Sequence, residues 1–341
     1  MRQGPPHRRA RIRRTPALVG GERRRVAGVD GERRLSVILV GGSGFLGRGL
    51  RERLVSDGHE VTVIGRGAPA AHEGWSEVSW DARSLGAWVH ALEDADAIVH
   101  LAGKRVDCRP TTRNVDELIA SREGTVRLVG EAVRRLDRPP AAWIQLSSLA
   151  IYGDAGDQII DESTPPPTSG PRQQVEVCRR WEAAFEVAAA GVARRVLLRP
   201  AIGIGGRGDP ATARLSMLAR FGLGGPVAGG RQWVSWIANE DLLDLLHRAV
   251  VDPSVDGLYH LTSPAPSTNA DLMAAYRRAV GRRFGLPAPA AIARVGALLL
   301  GSDPALALTG RRCVPTRLLD EGYEFRCTDL DAAVAAAVAA S

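Results

Sequence analysis

Hydrophobic positions along this chain gather in short, separated runs. Residues 37–40 (VILV), 61–64 (VTVI), 97–101 (AIVHL), 143–146 (WIQL) and 196–198 (VLL) are each too brief for a helix. Each has the length and β-branched content of a buried strand. The stretches between them carry apolar residues at three- and four-residue spacing. One runs to about Asp57, a second covers 115–135 and stops before Pro139-Pro140, and a third covers 174–190. Strands alternating with amphipathic helices imply a parallel sheet covered on both faces, and right-handed crossovers make it a doubly wound α/β fold. Beyond Pro200 the pattern changes. Glycine-rich loops at 203–208 and 222–230 precede a last strand at 258–261. Thr268 and Asp271 form an N-cap pair that opens a helix over 272–280, and a mostly helical segment starts at Phe284.

The first two apolar runs flank Gly41-Gly42-Ser43-Gly44-Phe45-Leu46-Gly47. Strand, glycine turn, helix, strand is the arrangement that holds a dinucleotide. Gly41 permits the tight turn, Gly44 lets the backbone approach a pyrophosphate, and Gly47 lets the helix pack close. The pyrophosphate is expected on the free N–H groups at the helix N-terminus, around Phe45 and Leu46, where the helix dipole favours negative charge. The second strand runs into Gly65-Arg66-Gly67, with no acid for a ribose 2′-hydroxyl. A guanidinium there suits a 2′-phosphate, so NADP(H) is expected over NAD(H). The alternative is that Arg66 is an ordinary solvated residue.

The GxxGxxG spacing resembles the extended, epimerase-like branch of the short-chain dehydrogenase/reductase superfamily. The strand-end Leu101-Ala102-Gly103 is similar to that superfamily's Asn-Ala-Gly, with Leu101 in place of Asn, and Trp80-Asp81 lies where it often sets an Asp near the adenine. Further motifs narrow the likeness: Gly222-Leu223-Gly224-Gly225-Pro226, Gly230-Arg231-Gln232-Trp233, Ser235-Trp236-Ile237, Glu117 with Ser121-Arg122, Val177-Cys178 with Trp181-Glu182, residues 284–289, Arg311-Arg312-Cys313-Val314-Pro315 and 318–325. Together they resemble an atypical epimerase-like subfamily, the YfcH-like proteins and their mammalian relatives, over residues 35 to about 330. The resemblance implies a smaller C-terminal substrate lobe and cofactor contacts from Arg66, Leu101, Ala102, Gly103, Glu117 and Arg122. In domains it implies 35–283 as the nucleotide-binding epimerase-like part and 284–335 as a family-specific C-terminal part.

The superfamily's usual chemistry needs a Ser or Thr and a Tyr-x-x-x-Lys, whose Tyr moves a proton while hydride moves to or from nicotinamide. Ser148 fits the Ser, four residues before Tyr152 in a Ser-Ser-x-x-x-Tyr-Gly pattern. Counting back from Glu182, the Tyr position holds Gln174 and the Lys position Cys178, and neither preserves that chemistry. Tyr152 is the best substitute acid, ahead of Cys178, Glu176 and Arg109. Two readings stand: an NADP(H)-dependent oxidoreductase or epimerase acting on a small carbonyl, alcohol or sugar-like substrate through a non-standard proton donor, or a non-catalytic NADP(H)-binding sensor or partner-binding protein. Trp233, Trp236 and the glycine loops are candidates to close over a small ligand, or else they pack as core.

Composition limits the remainder. At 341 residues and 45% hydrophobic, the chain can bury a large core without staples. No apolar run approaches the roughly 18 residues of a membrane span, the most apolar late one being 295–300. No membrane partner is therefore expected. Four scattered cysteines match no metal-ligand spacing and read as reduced thiols of a cytoplasmic protein. Residues 1–34 hold eleven Arg against three acids, a net of +8, so the rest of the chain sums to about −1 and the overall +7 belongs to that stretch. That stretch is expected to be disordered: a solvated tail or over-extended start, a targeting peptide, or a nucleic-acid arm. The last is disfavoured by the lack of aromatic residues for base stacking. Lys104 is the sole lysine.

Overall fold

A computed structural model describes residues 33–341, with a compact unit over Leu35–Ser341. The expectations for residues 1–32 lie outside the described residues.

Eight strands form the main sheet: β1 (Ser36–Val40), β2 (Glu60–Gly65), β3 (Ala70–His72), β4 (Trp75–Ser79), β5 (Ala97–His100), β6 (Ala142–Leu146), β8 (Arg194–Pro200) and β12 (Gly257–Leu261). Two-residue β7 (Ile159–Ile160) lies outside it, as do short β9 (Ile202–Ile204), β10 (Trp233–Val234), β11 (Trp236–Ala238), β13 (Ser267–Thr268) and β14 (Arg312–Cys313). The spatial order is β12-β8-β6-β5-β1-β2-β4-β3, parallel throughout except at the β3 edge. Strand order turns back on either side of β1, which sets a crevice at the carboxyl ends of β1 and β5.

Alternation along β1 fixes both layers. Val37 and Leu39 face one cluster, shared with Leu50 and Leu54 of α1 (Phe45–Ser56) and with Leu242 and Leu246 of α6 (Asn239–Val251). Ile38 and Val40 face the other, shared with α3 (Thr125–Val133) and with Trp181 and Phe185 of α4 (Val177–Ala188). The predicted helix over 115–135 is α2 (Thr112–Ile119) and α3 joined by a π turn at Ala120–Gly124. A second π turn, Arg172–Glu176, opens α4.

The second lobe has its own core of Ile204, Trp236, Leu272, Tyr276 and Val334. It gathers α5 (Pro210–Arg220), α7 (Asn269–Ala279) and α11 (Leu330–Ala339). Thr268 caps α7 with a complete capping box, its hydroxyl receiving the Asp271 N–H while the Asp271 carboxylate receives the Thr268 N–H. The intervening helices are α8 (Ala290–Leu299), α9 (Ala305–Leu308) and α10 (Thr316–Asp320).

Strand β4 escaped the sequence reading. Its residues are only half-buried, because it lies near the sheet edge, so the apolar signature of the interior strands is missing.

Candidate functional site

The turn after β1 is shaped by close packing. Gly41 has φ +79°, and a Cβ there would lie 2.6 Å from Ala102 Cα. A Cβ at Gly47 would meet the Gly42 carbonyl oxygen at 2.4 Å. Only bare backbone therefore lets α1 approach the turn and the turn approach the end of β5. At Gly44 the opposite holds: an added Cβ meets nothing within 4 Å. Gly44 is the N-cap of α1 and offers no side-chain cap, so the first helical N–H groups, those of Phe45, Leu46 and Gly47, are left without a capping side chain beside the open space at Gly44. These are the features of a phosphate cradle.

Next to it, Arg66 follows β2, is exposed, and makes no hydrogen bond or ion pair among the described residues. One acid stands close by. Glu77 of β4 sets Oε1 where a Cβ on Gly67 would lie, 2.7 Å away. This carboxylate had no signature in the sequence pattern, because it arrives from β4. Trp80 is buried edge-on against Trp88 at 5.4 Å. Asp81 spends its carboxylate on Arg83 N–H and on the N–H and hydroxyl of Ser84, bonds that hold it down to about 2. It closes its own turn.

At the end of β5, the Leu101 N–H bonds the Val40 carbonyl at 2.8 Å, and Ala102 is buried against Gly41. The expectation that Arg122 reaches a phosphate is corrected. Its side chain is 7% exposed, lies over the Trp181 ring at 4.9 Å, and donates to the carbonyls of Lys104 (2.9 Å) and Leu118 (3.3 Å). A Cβ on Gly103 would sit 3.1 Å from its Cζ. Arg122 thus braces the Gly103–Lys104 backbone from beneath. Glu117 likewise faces neighbours: it accepts from Lys104 Nζ at 2.6 Å and Arg113 Nε at 2.9 Å, which lowers its carboxyl. Lys104, the sole lysine, directly follows Gly103 and turns its Nζ to Glu117 and Asn114.

The catalytic candidates divide. Ser148 is half-buried after β6, and its hydroxyl accepts the Ala150 N–H at 3.1 Å. Tyr152 has its hydroxyl engaged by two neighbours. Its hydroxyl is buried, receives Arg199 Nη1 at 2.7 Å and lies 2.9 Å from His260 Nε2. His260 Nδ1 faces the Val314 carbonyl at 3.3 Å, which makes Nδ1 the donor and Nε2 the acceptor of the phenol proton, an assignment read from the partners. Burial pushes the phenol far up and holds His260 down to about 3. Arg199 also clasps Glu182 through two bonds of 2.9 and 2.7 Å, and Ser147 donates to the same carboxylate at 2.5 Å. This Ser147–Glu182–Arg199–Tyr152–His260 chain fastens β6, α4, β8 and β12 together.

At the two expected Tyr-x-x-x-Lys positions, Gln174 is buried with its Nε2 unpartnered, while Cys178 is buried and pushed up to about 12 by desolvation. Glu176 is held by Arg172 at 2.7 Å, and Arg109 donates to the Leu298 carbonyl at 2.7 Å. Trp236 is core, with Nε1 bonded to the Ala265 carbonyl, and Trp233 bonds Asp157 at 2.8 Å beneath Arg312. All four cysteines are free. A cleft of about 330 Å³ opens between the 153–155 turn and the 164–171 loop, with Tyr152 in its wall.

Residues 37–260 match the NAD dependent epimerase/dehydratase family, and residues 288–337 match a domain of unknown function, DUF1731. Epimerase family protein SDR39U1 of Homo sapiens is 31% identical over 310 residues, covering 89% of this chain and all of that protein. Epimerase family protein Mb2239 of Mycobacterium bovis is 33% identical over 290 residues, covering 85% and 93%. The crystal structure of human SDR39U1 isoform 2 with NADPH superimposes with a TM-score of 0.76 at 29% identity, covering 89% of this chain and 99% of that one. A nucleoside-diphosphate sugar epimerase from Corynebacterium glutamicum gives 0.71 at 30% identity, covering 89% and 58%.

Proposed function

The chain belongs to the NAD dependent epimerase/dehydratase family, and from that membership and the cradle at β1 we infer that it is an NADP(H)-dependent, epimerase-like oxidoreductase of a small carbonyl, alcohol or sugar-like substrate. The observation that carries the reading is the capless N-terminus of α1 over open space at Gly44, with an unpaired Arg66 next to it. The amides of Phe45, Leu46 and Gly47 would hold the pyrophosphate, and Arg66 the 2′-phosphate. The Leu101–Gly103 backbone, braced by Arg122, would lie along the nucleotide. The bound cofactor supplies or accepts a hydride. The human relative whose structure was solved with NADPH supports the choice of cofactor.

Ser148, at the family's serine position, would orient the substrate oxygen. Tyr152, whose hydroxyl is engaged by Arg199 and His260, would have to be released from them to act as the acid. The second reading, cofactor binding without turnover, is favoured by one observation: Gln174 and Cys178 occupy the catalytic positions and neither titrates near neutrality.

Calorimetric titration of the full chain with NADPH and with NADH tests the reading. Saturable binding with NADPH preferred is expected; silence from both at millimolar nucleotide removes it. Loss of nicotinamide absorbance with a carbonyl panel, diminished in Ser148→Ala, separates turnover from binding alone.

A further inference from the structure

Between Asp271 and Asp303 the chain has no acidic residue but has Arg277, Arg278, Arg282, Arg283 and Arg294. The same stretch carries five strongly exposed apolar side chains. Phe284 is 87% exposed, Leu286 68%, Ile292 64%, Val295 59% and Leu299 76%. No residue of α8 is buried. Ile292, Val295 and Leu299, at i, i+3 and i+7, form one stripe along the helix. The Leu286 N–H bonds the Gly222 carbonyl at 2.8 Å, which joins the stripe to exposed Phe221 and Leu223. Arg109 ties down the helix's far end through Leu298. Arg220, Arg282, Arg283 and Arg294 make no side-chain contact with an acid among the described residues, so their charge is free to face outward.

We propose that residues 284–300, with the 221–223 turn, form a docking face for an anionic lipid bilayer, on which the second lobe lies without crossing it. An apolar stripe rimmed by arginine is the pattern of a helix that seats its side chains at the headgroup boundary. No helix of the described residues is long and apolar enough to span. Charge selects this occupant over two others. A symmetric pair of chains would set the same arginines against one another. Residues 1–34, with eleven arginines, carry the same sign.

Flotation of the full-length protein with vesicles of phosphatidylcholine alone, or of phosphatidylcholine and phosphatidylglycerol in equal parts, tests this. Partition onto the anionic vesicles is expected to be at least about tenfold greater. Ile292→Asn with Leu299→Asn should reduce it about tenfold, as should Arg282→Gln with Arg283→Gln and Arg294→Gln, while NADPH binding and thermal midpoint stay unchanged. The proposal is overturned by absence of flotation, or by flotation indifferent to the apolar pair, which would assign it to the arginine-rich N-terminal residues. Capture by polyglutamate regardless of the apolar pair, or a dimer that this pair dissolves, also overturns it. A failed nucleotide titration leaves these outcomes untouched.

Discussion

At the residue scale, the proposed basis of cofactor choice is a pair of opposite charges reaching one place from neighbouring strands. Arg66 offers a forked donor to a 2′-phosphate, and Arg66→Ala should weaken NADPH far more than NADH. Losing a charged hydrogen bond costs about 1.5–3 kcal/mol, or roughly 10- to 150-fold in affinity. Glu77 lies against the Gly65–Gly67 backbone and would repel that same phosphate. Glu77→Gln should therefore tighten NADPH several-fold and leave NADH the same or weaker, in parallel titrations. If Glu77→Gln weakened both nucleotides alike, the carboxylate would be holding ribose, and the preference for NADP(H) would be wrong. Tyr152 supplies the contrasting case. Its hydroxyl joins Arg199 to His260 in the interior, so Tyr152→Phe strands two buried groups. A loss of about 1–3 kcal/mol in denaturant unfolding is expected, with NADPH affinity unchanged. An intact unfolding midpoint together with lost turnover would return the phenol to catalysis.

At the level of elements, strong local patterns were legible and tertiary ones were not. The interior strands are nearly uninterrupted apolar runs because both of their faces are covered, and the glycine turn is constrained within seven residues of sequence. Thr268 with Asp271 announced α7 correctly, and Thr268→Ala should cost about 1 kcal/mol, lowering the thermal midpoint by roughly 2–4 °C. A variant as stable as the parent would mean that packing of Leu272 and Tyr276 alone sets the helix start. By contrast, the two π turns left no periodic signature. Each shifts its helix face by one residue: one turns Arg122 inward beneath Gly103, the other buries Gln173 and Gln174. The resemblance implied cofactor contacts from Arg122 and Glu117, and the inward turn of Arg122 had no trace in the sequence pattern. Strand β4 was missed for a related reason, since a half-buried strand next to the edge strand asks little of its side chains, and Glu77 was missed with it. The setting of Tyr152 was not legible because its partners, Arg199 and His260, come from strands 47 and 108 residues away.

On the scale of the whole molecule, the buried network makes folding depend on pH in a definite direction. His260 and His100 are both interior, and desolvation is the main cause holding each down to about 3 from an ordinary 6.5. The unfolded chain therefore binds protons that the folded one refuses, and stability rises with pH wherever that difference exists. Above about pH 6.5 both states are neutral at these rings and their contribution is constant. As pH falls from there toward 3, each ring withdraws stability, at about 1.4 kcal/mol per pH unit at most. Carboxyls raised by burial, Glu162, Asp241 and Asp303, act in the opposite sense but nearer their own range, below the start of the histidine window. Denaturant midpoints measured from pH 8 to pH 5 should accordingly be level at first and then fall. His260→Gln at an equal starting stability should lessen the slope by up to half, because one of the two rings is gone. Since the native His260 ring stays neutral throughout this window, its bonds to Tyr152 and Val314 persist, and nucleotide affinity of the folded protein should hold level while the unfolding midpoint falls. A midpoint that held level to pH 5 would mean that water reaches these rings in the native state, and the chain from Ser147 to His260 would then be a solvated crevice instead of a clasp.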